Sequence, residues 1–211
     1  CGPVTPGDKI QAAPSVADID CGKVVFSGSN DNSFYAVNSD GILRFTIQTG
    51  DKVQSSPSFL ENNGETYIFF GSNDDMIYAV DSDGNALTGW PVAVNGSIAG
   101  SVVFSDLDAD GDPEIIAATD TGDVLAFHLD GSNVEYFPIS NGFPFTGSPM
   151  ITNLDEDGDL EILAGSAGNL FVIDIKESGT LTNYWSMFRG NEQRSGIYVP
   201  EDDSGCGADL G

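Results

Sequence analysis

The sequence predicts an all-β protein of the β-propeller class, because a unit of about 45 residues recurs four times and its strands are apolar on both faces. The four units align on a start that is rich in small residues and proline. Pro14, Pro57, Val102 and Pro149 correspond there, at spacings of 43, 45 and 47 residues. No segment keeps a 3.6-residue apolar period, so we expect little helix.

Each unit contains four short apolar runs that are separated by turns. In every unit the second run ends on a small residue, namely Gly28, Gly71, Ala118 or Gly165. Second runs such as Ile68–Phe70 and Ile115–Ala117 lack apolar–polar alternation, which is expected for strands buried on both faces. Asp-Gly turns follow the third runs of the first three units and favour hairpins. Four-stranded sheets stacked face to face are the blades of a propeller.

These repeats divide the chain into three parts. Residues 1–9 form a lead-in, residues 10–198 form the repeats, and residues 199–211 form an acidic, glycine-rich linker or tail. Four four-stranded blades are expected, over about 10–52, 53–97, 98–144 and 145–198.

The repeats resemble the FG-GAP (integrin-α-like) and quinoprotein-like propeller families of bacterial secreted proteins. The resemblance rests on YAVDSDG at 78–84, on GWPV at 89–92, and on a segment at 185–196 similar to the closing tail after the last blade. Such propellers usually have more than four blades. The resemblance therefore leaves three possibilities: the C-terminal part of a larger propeller, a four-bladed ring, or half of a ring closed by a second chain.

Units three and four each contain an acidic loop with the pattern of a calcium site. Oxygen-bearing side chains occupy positions 1, 3, 5 and 9, and glycine at position 6 permits a sharp reversal. Calcium takes six to eight oxygen ligands, and a position-7 residue can add its backbone carbonyl. The expected ligand residues are Asp106, Asp108, Asp110, Asp112 and Glu114 in the first loop, and Asn153, Asp155, Asp157, Asp159 and Glu161 in the second. This loop resembles the integrin-α type, between the first two strands of a blade.

Units one and two lack this loop. Their interval from the aligned start to the aligned glycine is two residues shorter, and Val24 and Tyr67 stand where the closing Glu would be. We therefore expect two calcium sites rather than four. Magnesium fits less well because it demands stricter octahedral geometry. The alternative is that both loops are acidic turns without a metal.

Charge and cysteine usage limit the partners. The chain has 7 basic and 33 acidic residues, a net charge of −26, which disfavours nucleic acid and anionic membranes. No apolar run is long enough for membrane insertion. The three cysteines predict a secreted or cell-surface location, with Cys1 paired to either Cys21 or Cys206.

No catalytic constellation is visible. His128 is the only histidine and occupies a strand-end position. There is no nucleophile elbow, and Trp90 and Trp185 are the only tryptophans, so the repeated docking motif of quinoprotein dehydrogenases is missing. We expect a non-enzymatic module that binds a protein, a glycan or another copy of itself. The alternatives are a partial domain of an extracellular polysaccharide lyase or peptidase, and a self-assembling structural protein.

Two similar polar turns, at 29–32 and 72–75, admit two interpretations. They could form part of a binding surface, or they could be ordinary turns built from residues that tolerate left-handed backbone conformations.

Overall fold

The computed structural model describes residues 4–200, and every regular element within them is a β-strand. The strands are β1 Ser15–Ile19, β2 Gly22–Ser29, β3 Ser33–Asn38, β4 Leu43–Gln48, β5 Ser58–Asn62, β6 Glu65–Gly71, β7 Met76–Val80, β8 Val92–Ala93, β9 Val103–Ser105, β10 Glu114–Ala118, β11 Asp123–Phe127, β12 Ile139–Ser140, β13 Met150–Thr152, β14 Asp159–Gly165, β15 Leu170–Ser178 and β16 Ile197–Tyr198. These residues include no helix long and apolar enough to cross a bilayer.

The strands form four sheets. Sheet 1 has the order β16-β1-β2-β3-β4, sheet 2 the order β5-β6-β7-β8, sheet 3 the order β9-β10-β11-β12, and sheet 4 the order β13-β14-β15. Strands that follow one another within a sheet are antiparallel, whereas β16 runs parallel to β1. The fold is therefore all-β, with one sheet for each sequence repeat.

The expectation of four strands in every sheet is wrong for two sheets. Sheet 4 has three strands, and sheet 1 has five because β16 from the end of the chain joins it. The physical reason is that the segment after β15 does not pair with β15, and its backbone hydrogen bonds go instead to the first strands of several sheets. The carbonyls of Trp185 and Gly196, for example, accept from the N–H groups of Phe104 (3.0 Å) and Val16 (2.8 Å).

This segment, residues 180–198, is called the tail below, and it contacts all four sheets. Besides sheets 3 and 1, it reaches sheet 4, where the Ser186 carbonyl accepts from the N–H of Ile151 (2.9 Å). In sheet 2, Phe59 packs edge-on against the buried Trp185 ring at 5.3 Å. Arg189 donates to the Pro14 carbonyl at 2.9 Å. The tail thus ties the first strands of the sheets together.

Apolar side chains fill the spaces between successive sheets. One cluster joins sheets 1, 2 and 3 with Trp185, and a second joins sheets 3 and 4. The rings of Phe34 and Phe70 stack at 3.9 Å across sheets 1 and 2, and Trp90 donates its indole N–H to the Leu129 carbonyl (2.8 Å) across sheets 2 and 3. The runs Ile68–Phe70 in sheet 2 and Ile115–Ala117 in sheet 3 are buried on both faces, as the sequence predicted.

Between neighbouring sheets, a linker residue packs on the small residue that ends the second strand of the preceding sheet. Val53 covers Gly28, where an added Cβ would lie 2.4 Å from a Val53 methyl, and Ile98 covers Gly71, where the distance would be 2.1 Å. The N–H of Val53 also donates to the Ser29 carbonyl at 3.0 Å. The small residue at the end of the second strand is therefore required by close approach of the next linker.

Cys21 is disulfide-bonded. The predicted pairings also involve Cys1 and Cys206, which lie outside the described residues.

Candidate metal sites

Both predicted acidic loops connect the first two strands of a sheet. The first runs from Asp106, after β9, to Glu114 at the start of β10, and the second runs from Asn153, after β13, to Glu161 in β14. Their backbones match: position 4 has φ of 57° and 64°, and the glycine at position 6 has φ of 95° and 100°. The shared sequence pattern thus folds twice into one loop shape.

Internal hydrogen bonds hold both loops in the same way. The closing glutamate accepts from the N–H of position 2: Leu107 donates to Glu114 Oε2 at 2.7 Å, and Leu154 donates to Glu161 Oε2 at 2.5 Å. The N–H groups of positions 5 and 7 donate to the carboxylates of positions 3 and 5. These bonds turn the remaining carboxylate oxygens toward one region.

The structure brings most of the predicted ligands together. One ligand oxygen from each of Asp155, Asp157, Asp159 and Glu161 lies within 4.8 Å of the others. In the first loop, Asp106, Asp108 and Glu114 meet the same distance limit.

Of the predicted carboxylate ligands, Asp110 and Asp112 lie outside these groups. The Asp110 carboxylate accepts from the N–H of Asp112 at 2.8 Å, and the Asn153 amide oxygen accepts from the N–H of Glu156 at 2.7 Å. Asp112, at position 7, was expected to offer its backbone carbonyl rather than its side chain.

Each loop contains buried carboxylate oxygens that lack a hydrogen-bond donor. They are Asp106 Oδ1, Glu114 Oε1, Asp159 Oδ1 and Glu161 Oε1. Asp106, Glu114 and Glu161 are 3%, 1% and 4% exposed. A buried charge without a partner is costly, and a cation between these oxygens removes that cost. This donor set consists of oxygens only, which suits a hard divalent cation.

The charges of the loops perturb one another. Burial raises the pKa of Glu114 to about 7, with a contribution from the nearby charges of Asp108, Asp110 and Asp106 and against the Leu107 N–H bond that lowers it. In the second loop, a hydrogen bond shared by two carboxyl groups raises the pKa of Asp159 and lowers that of Asp157. Both effects indicate excess negative charge that a cation would neutralise.

Sequence reasoning missed two neighbours of the loops. His128 Nδ1 lies 3.5 Å from Glu114 Oε1, because β10 and β11 pair just beyond these residues. Lys176 Nζ lies 3.6 Å from Asp159 Oδ2 and also contacts Asp174. One sequence signal could have located His128 near the first loop. His128 aligns with Asp174, which pairs directly opposite the closing Glu161 of the second loop.

Sheets 1 and 2 have tight turns where sheets 3 and 4 have acidic loops. Asp20 and Cys21 both have positive φ, as do Asn63 and Gly64, so two residues close each hairpin. Asp20 is paired with Arg44 at 2.7 Å. The aligned position of the closing glutamate holds Val24 in sheet 1 and Tyr67 in sheet 2, neither of which offers a carboxylate.

The two polar turns at 29–32 and 72–75 join a sheet to the linker that precedes it. Asp31 accepts from the N–H of Gly7 (2.6 Å) and the hydroxyl of Tyr35 (2.7 Å). Asp74 accepts in the same way from Gly50 and Tyr78. These contacts favour the interpretation as structural turns.

A groove of about 420 Å³ lies between sheet 2 and the tail. Its lining is mostly amide and aromatic: Glu61, Asn62, Asn63, Thr182, Asn183, Tyr184, Tyr198 and Val199. Burial raises the pKa of Tyr184, and the nearby carboxylates of the first acidic loop add to this shift. The groove and that loop therefore share one end of the molecule.

Comparison with known proteins supports the fold alone. No family model matches the chain, and no curated protein matches it in sequence. Among solved structures it is similar to BamB from Moraxella catarrhalis, with a TM-score of 0.53 and 18% identity over 80% of this chain and 47% of that one. It is also similar to BBS1N, solved in complex with ARL6DN, with a TM-score of 0.56 and 16% identity over 82% of this chain and 52% of that one.

A third similar structure is the computationally designed Ika4 protein, with a TM-score of 0.53 and 13% identity over 82% of this chain and 96% of that one. BamB and BBS1N are β-propellers, so the fold of this chain is propeller-like. The chain spans about half the length of the BamB and BBS1N chains. The FG-GAP resemblance stays a prediction.

Proposed function

We propose that the chain is a non-catalytic, calcium-binding module of a secreted or cell-surface bacterial protein, built from four propeller blades. One observation carries the calcium part of this proposal. Two loops of the same shape each hold buried carboxylate oxygens without a donor, on Glu114 and Asp106 and on Glu161 and Asp159. The one-to-one match of sheets with repeats supports four blades.

Each ion would have a structural role. It would join the end of a first strand to the start of a second strand, and it would neutralise carboxylates that repel one another in its absence. An ion that binds only the folded state stabilises that state. Two ions are proposed. The first is bound by side chains of Asp106, Asp108, Asp110 and Glu114 with the backbone carbonyl of Asp112, and the second by side chains of Asn153, Asp155, Asp157, Asp159 and Glu161.

Thermal unfolding tests this proposal. The melting temperature should rise in calcium relative to chelator, and magnesium should raise it less. Glu114→Gln and Glu161→Gln should each remove part of the calcium effect. Glu177→Gln, which changes an exposed glutamate of β15 outside the loops, is the matched control and should keep the full effect. Equal melting temperatures in calcium and chelator would refute the metal sites.

The ligand would be a glycan or a protein, bound in the groove between sheet 2 and the tail. Amide groups and tyrosine rings suit a glycan, because they offer hydrogen bonds and flat apolar faces to sugar rings. On an array of soluble oligosaccharides, Asn183→Ala and Tyr184→Ala should weaken the binding seen for the parent chain. Tyr136→Ala, a change at a residue 84% exposed outside the groove, is the control. Unchanged binding by both groove variants would exclude this site.

A further inference from the structure

The outer face of sheet 4 is apolar and uncovered. It consists of Met150, Leu163, Leu170 and Val172 around Gly165, and is called the sheet 4 end face below. Leu170 is 70% exposed and Val172 is 43% exposed. Their counterparts in sheet 3 are Val124 and Ala126, which hold the same register positions and are 0% and 1% exposed under sheet 4. Sheet 4 therefore presents a surface that the repeat elsewhere uses for packing.

The opposite end of the stack presents the complementary surface. Val25, Ser27, Tyr35 and Val37 line a shallow groove of about 170 Å³ on sheet 1 together with the lead-in residues Val4, Pro6, Ile10 and Pro14. This set is called the sheet 1 end face. In sheet 2 the residues that correspond to Val25 and Val37 are Ile68 and Val80, which are 0% and 2% exposed because they face sheet 1.

Ile10 is a linker residue without a preceding sheet. It precedes Pro14 by four residues, as Val53, Ile98 and Phe145 precede the other aligned starts. Those three are at most 2% exposed, whereas Ile10 is 51% exposed. At the other end of the stack, Gly165 is a small residue without a linker residue over it. A Cβ added there would meet nothing within 4 Å.

The backbone repeats this pattern. The N–H groups of Val53, Ile98 and Phe145 donate to the carbonyls of Ser29, Ser72 and Thr119 in the preceding sheets, at 3.0, 3.2 and 3.0 Å. In the sequence alignment, the N–H of Ile10 corresponds to these three donors and the carbonyl of Ser166 corresponds to these three acceptors. Neither has a backbone partner among residues 4–200.

The geometry points to a second copy of this chain as the occupant of both end faces. Ile10 of one copy sits over Gly165 of the other, its N–H donates to the Ser166 carbonyl, and the sheet 1 end face packs on the sheet 4 end face. This junction continues the arrangement between neighbouring sheets of one chain. Because the two faces differ, the pairing is head-to-tail.

Two copies are sufficient to close such a ring. The chain spans 47% of the BamB chain and 52% of the BBS1N chain, so two copies supply about as many sheets as one of those propellers. The net charge of −26 on each copy opposes association. Added salt screens this repulsion, so the dimer should tighten as ionic strength rises.

Sedimentation analysis of the full chain in high salt tests the pairing. The parent chain should have twice the chain mass, and Gly165→Val and Val172→Glu should be monomeric with unchanged circular dichroism. Gly168→Val is the matched control and should stay dimeric, because a Cβ at Gly168 also meets nothing within 4 Å. A parent chain that is monomeric at its highest soluble concentration, or one that grows into longer oligomers, would overturn the proposal.

Mixing tests the head-to-tail orientation. Ile10→Glu and Val172→Glu should each be monomeric alone, and an equimolar mixture should regain dimers, because one junction then has two unaltered faces. A dimer formed by either variant alone would overturn the arrangement. None of these residues lies in an acidic loop, so failure here is distinct from failure of the calcium sites.

Discussion

Glu114 couples the first acidic loop to pH. Its pKa is raised from 4.5 to about 7, so between these values the folded chain keeps a proton that the unfolded chain releases. In chelator, stability should therefore fall as pH rises through this window and stay low above it. Across this window the free energy of unfolding should fall by about 2 kcal/mol, after a discount for screening by water.

Urea unfolding in chelator across this pH range measures the effect. Glu114→Gln should flatten the pH dependence, because the neutral amide does not titrate. Glu177→Gln should have the same pH dependence of stability as the parent chain. If stability fell with pH equally in the parent chain and in Glu114→Gln, Glu114 would not be the group that titrates.

Lys176 should weaken cation binding in the second loop. Its ammonium lies 3.6 Å from Asp159 Oδ2, where it competes with an ion for negative charge. Lys176→Met should tighten calcium binding at that loop several-fold, because the exposed charge pair no longer opposes the ion. Lys23→Met, which removes the similar Lys23–Asp18 pair outside the loops, is the control for titration calorimetry. An unchanged affinity for Lys176→Met would show that the lysine does not compete.

Spacing in the sequence predicted the loop residues, but it could not predict their neighbours. The positions of Asp155, Asp157 and Glu161 follow from one local pattern, which also sets their loop shape. Lys176 reaches Asp159 because β14 pairs with β15, with Leu160 opposite Ile175. Strand register is a property of two strands together, and no local pattern reports it.

At the scale of elements, the tail should be decisive for stability. Trp185 is 5% exposed and packs against Phe59 of sheet 2 while its carbonyl bonds to sheet 3. Trp185→Ala should lower the free energy of unfolding by about 3 to 5 kcal/mol, as for other large buried aromatic residues. Denaturant unfolding should show no comparable loss for the exposed Tyr136→Ala. A loss below about 1 kcal/mol for Trp185→Ala would mean that the tail packs only loosely.

The strands of the first three sheets were predictable because apolar runs and turn residues mark them locally. The three-stranded sheet 4 and the path of the tail were not. The sequence from Thr180 to Gly196 has few apolar residues, and its place depends on backbone partners such as Phe104, Ile151 and Val16 in distant sheets. Those partners are far away in the chain and leave no periodic signal.

At the scale of the whole molecule, repetition explains both the fold and its open ends. Each sheet needs a neighbour on both faces, and a stack of four satisfies this need only for the inner junctions. An unclosed stack leaves apolar faces uncovered at its two ends, where Leu170 is 70% exposed and Ile10 is 51% exposed. The number of blades in a closed ring stays a prediction.

The measurement that most directly tests the central claim is the number of calcium ions bound per chain at equilibrium dialysis. The account predicts two ions for the parent chain, one for each of Glu114→Gln and Glu161→Gln, and none for the double variant. Two ions still bound by the double variant, or no calcium bound by the parent chain, would contradict it.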